Sequence, residues 1–263
     1  MKQLSFEGLE FDDEKVKKSR SVVLTDRDLN ILEYILEMKF SSVQDVFEIF
    51  FKINQFGNEA ASTRAAVARL QQLTKSGYLN GIHSFSERRK YYLTTQKGYR
   101  SLCERRPNKE YIQPVQSIDH RTFNHDKLVL EARIALENKR AARNWISDRR
   151  LRSNKDLAGG LTNHAVPDGI FINPEGQRVA LELEYTSKSR SDHIEKIKRY
   201  VMMMRSESPT TKVFDQVIYI CAYERIVEML VQETKIYGEL FQVKSFDEFF
   251  SPGRVRKIAT RTD

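Results

Sequence analysis

Apolar residues recur at helical spacing in three runs within the first hundred positions. Leu29, Ile31, Leu32, Ile35 and Leu36 follow Thr25, a residue suited to cap a helix start. The stretch from Ser41 to Phe50 predicts a second, short helix with Ser41 or Ser42 at its cap. The stretch from Ser62 to Ser76 predicts a third. Ala66, Val67, Leu70 and Leu73 form its apolar stripe, Ser62, Thr63, Arg64, Arg69 and Gln72 stay outside, and Gly77 stops it. Two short strands, Tyr78 to His83 and Lys90 to Thr94, then flank a polar turn from Ser84 to Arg89, and a helix follows from Thr95 to Arg105. From Glu110 to Asp119 the chain is polar and carries Pro114 without any apolar period, which predicts a linker. Beyond it the pattern predicts a helix from Thr122 to Lys139, a strand near Trp145 to Leu151 and a loop holding Gly159 and Gly160. Two runs rich in Val, Ile, Leu and Phe then flank the turn cluster Asn173-Pro174-Glu175-Gly176, a β-hairpin signature. A helix from Ser191 to Met204, a strand from Val213 to Ala222, a helix from Arg225 to Tyr237 and a strand near Leu240 to Val243 complete the order. The result is αβββαβ with an added helix and strand, a mixed sheet with helices packed on it.

Three helices and a hairpin in the first part make a winged helix-turn-helix. The fold class is therefore α/β (α+β), with an N-terminal winged helix at residues 23–108, a linker at 109–120 and a second domain at 121–250. Residues 1–22 read as a flexible segment and 251–263 as a basic tail. A chain of 263 residues suits one domain of about 150 residues plus a smaller one. The formal net charge of +8 concentrates between Ser62 and Arg100, where eight Lys and Arg face Glu87 alone. Lys139 to Lys155 is a second basic stretch, opposed only by Asp148. Such local excess attracts a polyanion, most simply the phosphates of nucleic acid. The third helix would enter the major groove of double-stranded DNA and the wing would contact its backbone. The expected DNA-binding residues are Ser62, Thr63, Arg64, Arg69, Arg88, Arg89 and Lys90.

The hairpin carries the candidate chemistry. If Ile172 pairs with Arg178, Asp168 lies across from Glu182, with Cβ atoms roughly 5 Å apart, and Glu184 shares the face of Glu182. Like charges that close repel unless a cation sits between them or one carboxylate is protonated. A hard divalent ion, Mg²⁺ or Mn²⁺, takes oxygen ligands of this kind, so Asp168, Glu182 and Glu184 are the expected metal ligands. The plainer reading is a solvated antiparallel face on which Asp and Glu point outward. Downstream, His193, Lys196 and Tyr200 fall on one helix face beside Ile194, Ile197 and Val201.

The element order, with Pro167-Asp168 on one strand and Glu182-x-Glu184 on the next, resembles the PD-(D/E)xK restriction-endonuclease-like fold. Together with the preceding winged helix it resembles the plasmid replication-relaxation family and the MOBC-type relaxases of mobilisable plasmids. The agreement runs from Thr25 to about Val243 and is densest at Pro167-Asp168-Gly169, at Leu181 to Thr186 and at Lys196 to Tyr200. The resemblance implies binding to plasmid DNA and metal-dependent strand cleavage, with Asp168, Glu182, Glu184 and Lys196 as catalytic candidates. The nuclease motif expects Lys where this chain has Glu184, so Lys196 is the candidate substitute for orienting water and offsetting phosphate charge. The resemblance also offers Glu131 as a further metal ligand. His125 and His164 are weaker candidates, and Tyr185 and Tyr200 are the nearest nucleophiles should transesterification occur.

Other templates are missing from the chain. It has no Gly-x-Ser-x-Gly elbow, Walker loop, His-Glu-x-x-His or His-x-His motif. Cys103 and Cys221 lack zinc or disulfide spacing, and no run approaches the ~18 apolar residues of a membrane span, so a cytoplasmic protein without a membrane partner is expected. Two functions remain open. One is a winged-helix protein whose nuclease-like domain nicks DNA with a divalent metal. The other is a DNA-binding regulator of plasmid replication or transcription with a degenerate nuclease-like domain. A homodimer and accessory mobilisation or replication proteins are candidate partners beside DNA.

Overall fold

The computed structural model describes residues 22–53, 57–84, 87, 89–159, 161, 165–186, 188–208 and 212–250. Arg88, Gly160 and His164, like residues 1–21 and 251–263, lie outside them. The first helix, α1 (Asp26–Glu37), starts at a reciprocal capping box between Thr25 and Asp28. A two-residue strand, β1 (Ser41–Ser42), leads into α2 (Val43–Phe50), which Ser42 and Asp45 cap in the same way. The third helix, α3 (Arg64–Lys75), precedes strands β2 (Leu79–His83) and β3 (Lys90–Thr94) and then α4 (Gln96–Arg105). Strand β3 pairs antiparallel with β2 on one side and β1 on the other. This is the expected winged-helix order, closed over a core that includes Leu32, Ile35, Leu70, Leu73 and Tyr92.

The second part opens with α5 (Phe123–Asn138) and strand β4 (Arg143–Ser147). The strand expected to reach Leu151 ends at Ser147. There the Ser147 hydroxyl accepts the Arg150 N–H at 3.3 Å and starts α6 (Asp148–Ser153), so a Ser-Asp cap overrides the strand pattern expected from Trp145 to Leu151. The predicted loop likewise contains a short helix, α7 (Lys155–Ala158). Then come β5 (Gly169–Ile172), β6 (Arg178–Glu184), α8 (Arg190–Met204), β7 (Gln216–Cys221), α9 (Glu224–Thr234), a 3-10 turn (Lys235–Leu240), β8 (Phe241–Ser245) and α10 (Phe246–Phe249). The sheet order is β4-β5-β6-β7-β8, antiparallel through β6 and parallel from β6 to β8. Helices α8 and α9 make the parallel crossovers on one face, against Ala180, Tyr219 and Cys221. The other face, with Leu181 and Leu183, buries α5 and α10.

Gly169 in the Pro-Asp-Gly motif has a steric reason. A Cβ there would sit 2.2 Å from a ring carbon of Trp145, which stacks on Phe171 at 6.0 Å between centroids.

The two parts share a seam. Tyr34 of α1 and Met38 at its C-cap belong to the same apolar cluster as α5 and β6. The Arg133 guanidinium lies 4.1 Å from the Tyr34 ring centroid. Ser147 donates through its hydroxyl to Glu37 at 2.7 Å, and Arg149 donates to the carbonyls of Leu36 and Gln113. The segment expected as a linker is pinned here, since Ile112 and Ile118 are buried in the two neighbouring clusters.

Candidate functional site

The hairpin forms in the predicted register, with Ile172 opposite Arg178. Asp168 stands just before β5. Its N–H donates to the Leu181 carbonyl at 3.0 Å, and its carboxylate accepts the Leu183 N–H at 2.8 Å. Glu182 and Glu184 share with Ala180 the face of β6 that α8 covers, because side chains alternate along a strand. Ser189 and Asp192 cap α8 at the point that lays the helix back over these acids. Lys196 then reaches Glu182 at 2.5 Å, and the Tyr200 hydroxyl donates to the other Glu182 oxygen. Glu184, four residues before Lys188, pairs with it at 3.0 Å. His193 is buried with its Nδ1 3.9 Å from Glu184, and burial pulls its pKa down. From the other side, His125 of α5 places Nε2 3.3 Å from Asp168. Beside it Asp126 meets Lys39, at the end of α1, at 2.5 Å. Asp168, His125, Asp126 and Lys39 border a cavity of about 210 Å³ that Asp148 and Ser147 also line. Glu131 is half-buried farther along α5.

Crowded carboxylates were expected to need a cation or a proton, and the protein supplies both. Burial above all, with Asp168 and Glu184 adding to it, pushes Glu182 up to about 7, although Lys196 opposes the shift. For Asp168 burial works the other way from the outcome: His125, Lys196 and the Leu183 N–H overcome it and hold the carboxyl below its usual range. Burial also opposes charge on His125, yet Asp168 and Asp126 push the imidazole up to about 10. Lys196 is raised, its burial outweighed by Glu182 and Asp168. Asp168 is thus held as an anion, beside His125 and within the field of Lys196.

Whether the acids suit a divalent ion follows from the same contacts. Among the described residues no group of three or more His, Cys, Asp or Glu side chains is arranged to hold a metal ion. Both Glu182 oxygens accept hydrogen bonds, and Asp168 faces His125 and Leu183. As arranged, the acids do not fit a three-carboxylate ion site.

On the winged helix, the expected DNA-binding residues divide. Arg64 opens α3, is exposed, and makes no ion pair with a described residue. Arg89 and Lys90 are exposed at the start of β3. Ser62 and Thr63 precede the helix, and Thr63 makes no side-chain cap. Arg69 is committed inward. It donates through Nε to buried Asp28 at 2.7 Å, through Nη2 to the same carboxylate and to the Val23 carbonyl, and through Nη1 to Gln72. Part of the second basic stretch is committed too, since Arg149 clamps backbone carbonyls and Arg150 lies 3.5 Å from Glu37, whereas Lys139, Arg140 and Arg143 are exposed.

A family model described as replication-relaxation matches residues 32–217, more than half the chain. The chain belongs to the replication-relaxation family. That membership places its work in plasmid replication or mobilisation. The match spans the seam, starting within α1 and ending inside β7. No curated protein and no solved structure matches the chain. No described helix is long and apolar enough to cross a membrane. Within this family member, sequence reasoning passed over Lys39, Asp126 and Asp148 at the acid centre. The signal available was the pair His125-Asp126 in the first turn of α5, where an acid also suits the helix N-terminus.

Proposed function

We propose that this replication-relaxation protein binds duplex DNA of a plasmid or mobile element through α3 and the wing, and that its acid centre is a charge-compensated element of the fold rather than a standing cleavage site. The observation that carries the reading is the contrast in charge pairing. Arg64, Arg89 and Lys90 are exposed without an ion pair to a described residue, whereas each acid on the sheet face has a cationic partner. Unpaired surface cations draw phosphates and release counterions, which makes affinity salt-dependent. Titrating origin-region duplex at several salt concentrations tests it. Arg89→Ala and Lys90→Ala should each weaken binding and lower the salt slope by about one. Absence of duplex binding at moderate salt, or slopes that do not move, would sink the reading.

A second reading, nicking of one strand, is favoured by Lys196. It lies on the acid centre as a substitute for the lysine that Glu184 displaces. Supercoiled plasmid incubated with Mg²⁺ or Mn²⁺ separates the two. Nicking by the wild type but not by Asp168→Ala establishes cleavage at this centre. An intact plasmid with either metal leaves binding alone, and equal cutting by both proteins locates the activity elsewhere.

A further inference from the structure

Arg69 fixes what α3 can read. The commonest specific contact to a G·C pair is a bidentate Arg on guanine, and Arg69 is withdrawn from that role by its bonds to Asp28 and the Val23 carbonyl. Its remaining Nη1 donates to the Gln72 oxygen, which turns that amide's NH₂ outward as a donor. Successive helical residues turn by about 100°, so Arg64, Ala65, Ala68, Gln71, Gln72 and Lys75 share one side with Ala68 at its middle. All six are exposed. Gln71 makes no hydrogen bond with a described residue, so both ends of its amide are available.

Resting on the DNA-binding reading above, we propose that α3 recognises a site whose core is A·T pairs, through Gln71, Gln72, Ala65 and Ala68. A free Gln amide matches adenine, accepting from N6 and donating to N7. An Ala methyl packs on the thymine C5-methyl, and two alanines at the middle of the face let the helix seat deeply in the groove. The outward Gln72 NH₂ donates to an acceptor such as thymine O4. Arg64 sits at the helix start, where the first residues reach base edges, so the structure assigns it the single G·C pair that such a site tolerates, at one end. Lys75, at the far end of the helix, is placed for phosphate.

Selection of bound duplexes from a randomised pool by the full chain tests this, followed by competition with substituted sites. The expected outcome is an A·T core with no more than one flanking G·C pair. Gln71→Ala should then lose roughly 5- to 150-fold of discrimination at one adenine and leave the other positions alone. Deoxyuridine in place of a core thymine removes only a methyl and should weaken wild-type binding about fourfold where an alanine contacts it. A G·C-rich core, or duplex binding without base preference, overturns the inference while leaving DNA binding intact. No duplex binding at all overturns both. Gln71 is exposed and makes no hydrogen bond with a described residue, so its variant should fold, and an unchanged melting temperature checks that.

Discussion

Two arginines five residues apart on α3 show how differently this molecule uses the same charge. Arg64 stands in solvent with no ion pair to a described residue, and Arg69 closes on a carboxylate buried to 1% exposure. The acid centre extends the contrast to a whole region. There Lys196, His125 and Lys188 each meet an acid, and Glu182 and Glu184 are packed under α8. Charge left open to water is available to a partner, whereas charge paired inside the fold stabilises only the fold. Net charge counted along the sequence does not separate the two. The stretch from Lys139 to Lys155 reads as basic, yet Arg149 and Arg150 are spent on α1.

The sharpest way to break the comparison is at Lys196. Removing one partner of a buried pair strands the other, so Lys196→Met should cost about 3–5 kcal/mol at pH 8 in denaturant titrations. Without Lys196, which holds the Glu182 pKa down, that carboxyl takes its proton above about 7, so the loss should shrink as pH falls toward 7. A variant as stable as the wild type at pH 8 would remove Lys196 from the structural account.

His125 offers a gentler test through pH. Its folded pKa, about 10, lies above the unfolded value, so its contribution is full below about 6.5 and is lost as pH rises through about 10. Asp168 behaves oppositely. Its lowered pKa contributes stability above the ordinary carboxylate range that is lost as pH falls through the folded value. Denaturation midpoints measured across pH should decline on the alkaline side, and His125→Asn should flatten that decline; an identical slope in the variant counts against the pairing.

The smallest expected effect is at Arg64. Arg64→Ala should change stability by no more than about 0.5 kcal/mol, as surface substitutions do. Arg69→Ala, which leaves Asp28 buried and unpaired, should be plainly destabilised by comparison. Equal melting temperatures for the two variants would erase the distinction between them.

Much of this was legible in the sequence where the information is local. Thr25 with Asp28 and Ser42 with Asp45 mark helix starts because a capping box needs only residues three apart. The turn at Asn173 to Gly176 sets the hairpin register, and with it the common face of the acids. What stayed hidden depends on distant pairs. Arg69 finds Asp28 across 41 positions, Lys39 finds Asp126 across 87, and Arg149 finds Leu36 across 113. No spacing rule connects such residues before the chain has folded. The early end of β4 was hidden for another reason: Trp145 and Leu151, an even number of residues apart, fit a strand period, and only the Ser147 cap ends the strand between them.

The seam between the two parts also sets terms for how such a protein changes over generations. Tyr34 and Glu37 lie on the same helix that carries the capping box of the reading half, with Met38 at its C-cap, and they are held by Arg133, the α5 cluster and Ser147. A recombination event that exchanged only the first hundred residues would leave apolar surface uncovered on both sides of the join and Asp126 without Lys39. Lineages are therefore expected to diversify by point changes on the outward side of α3, while the inward side of α1 descends together with the sheet it rests on.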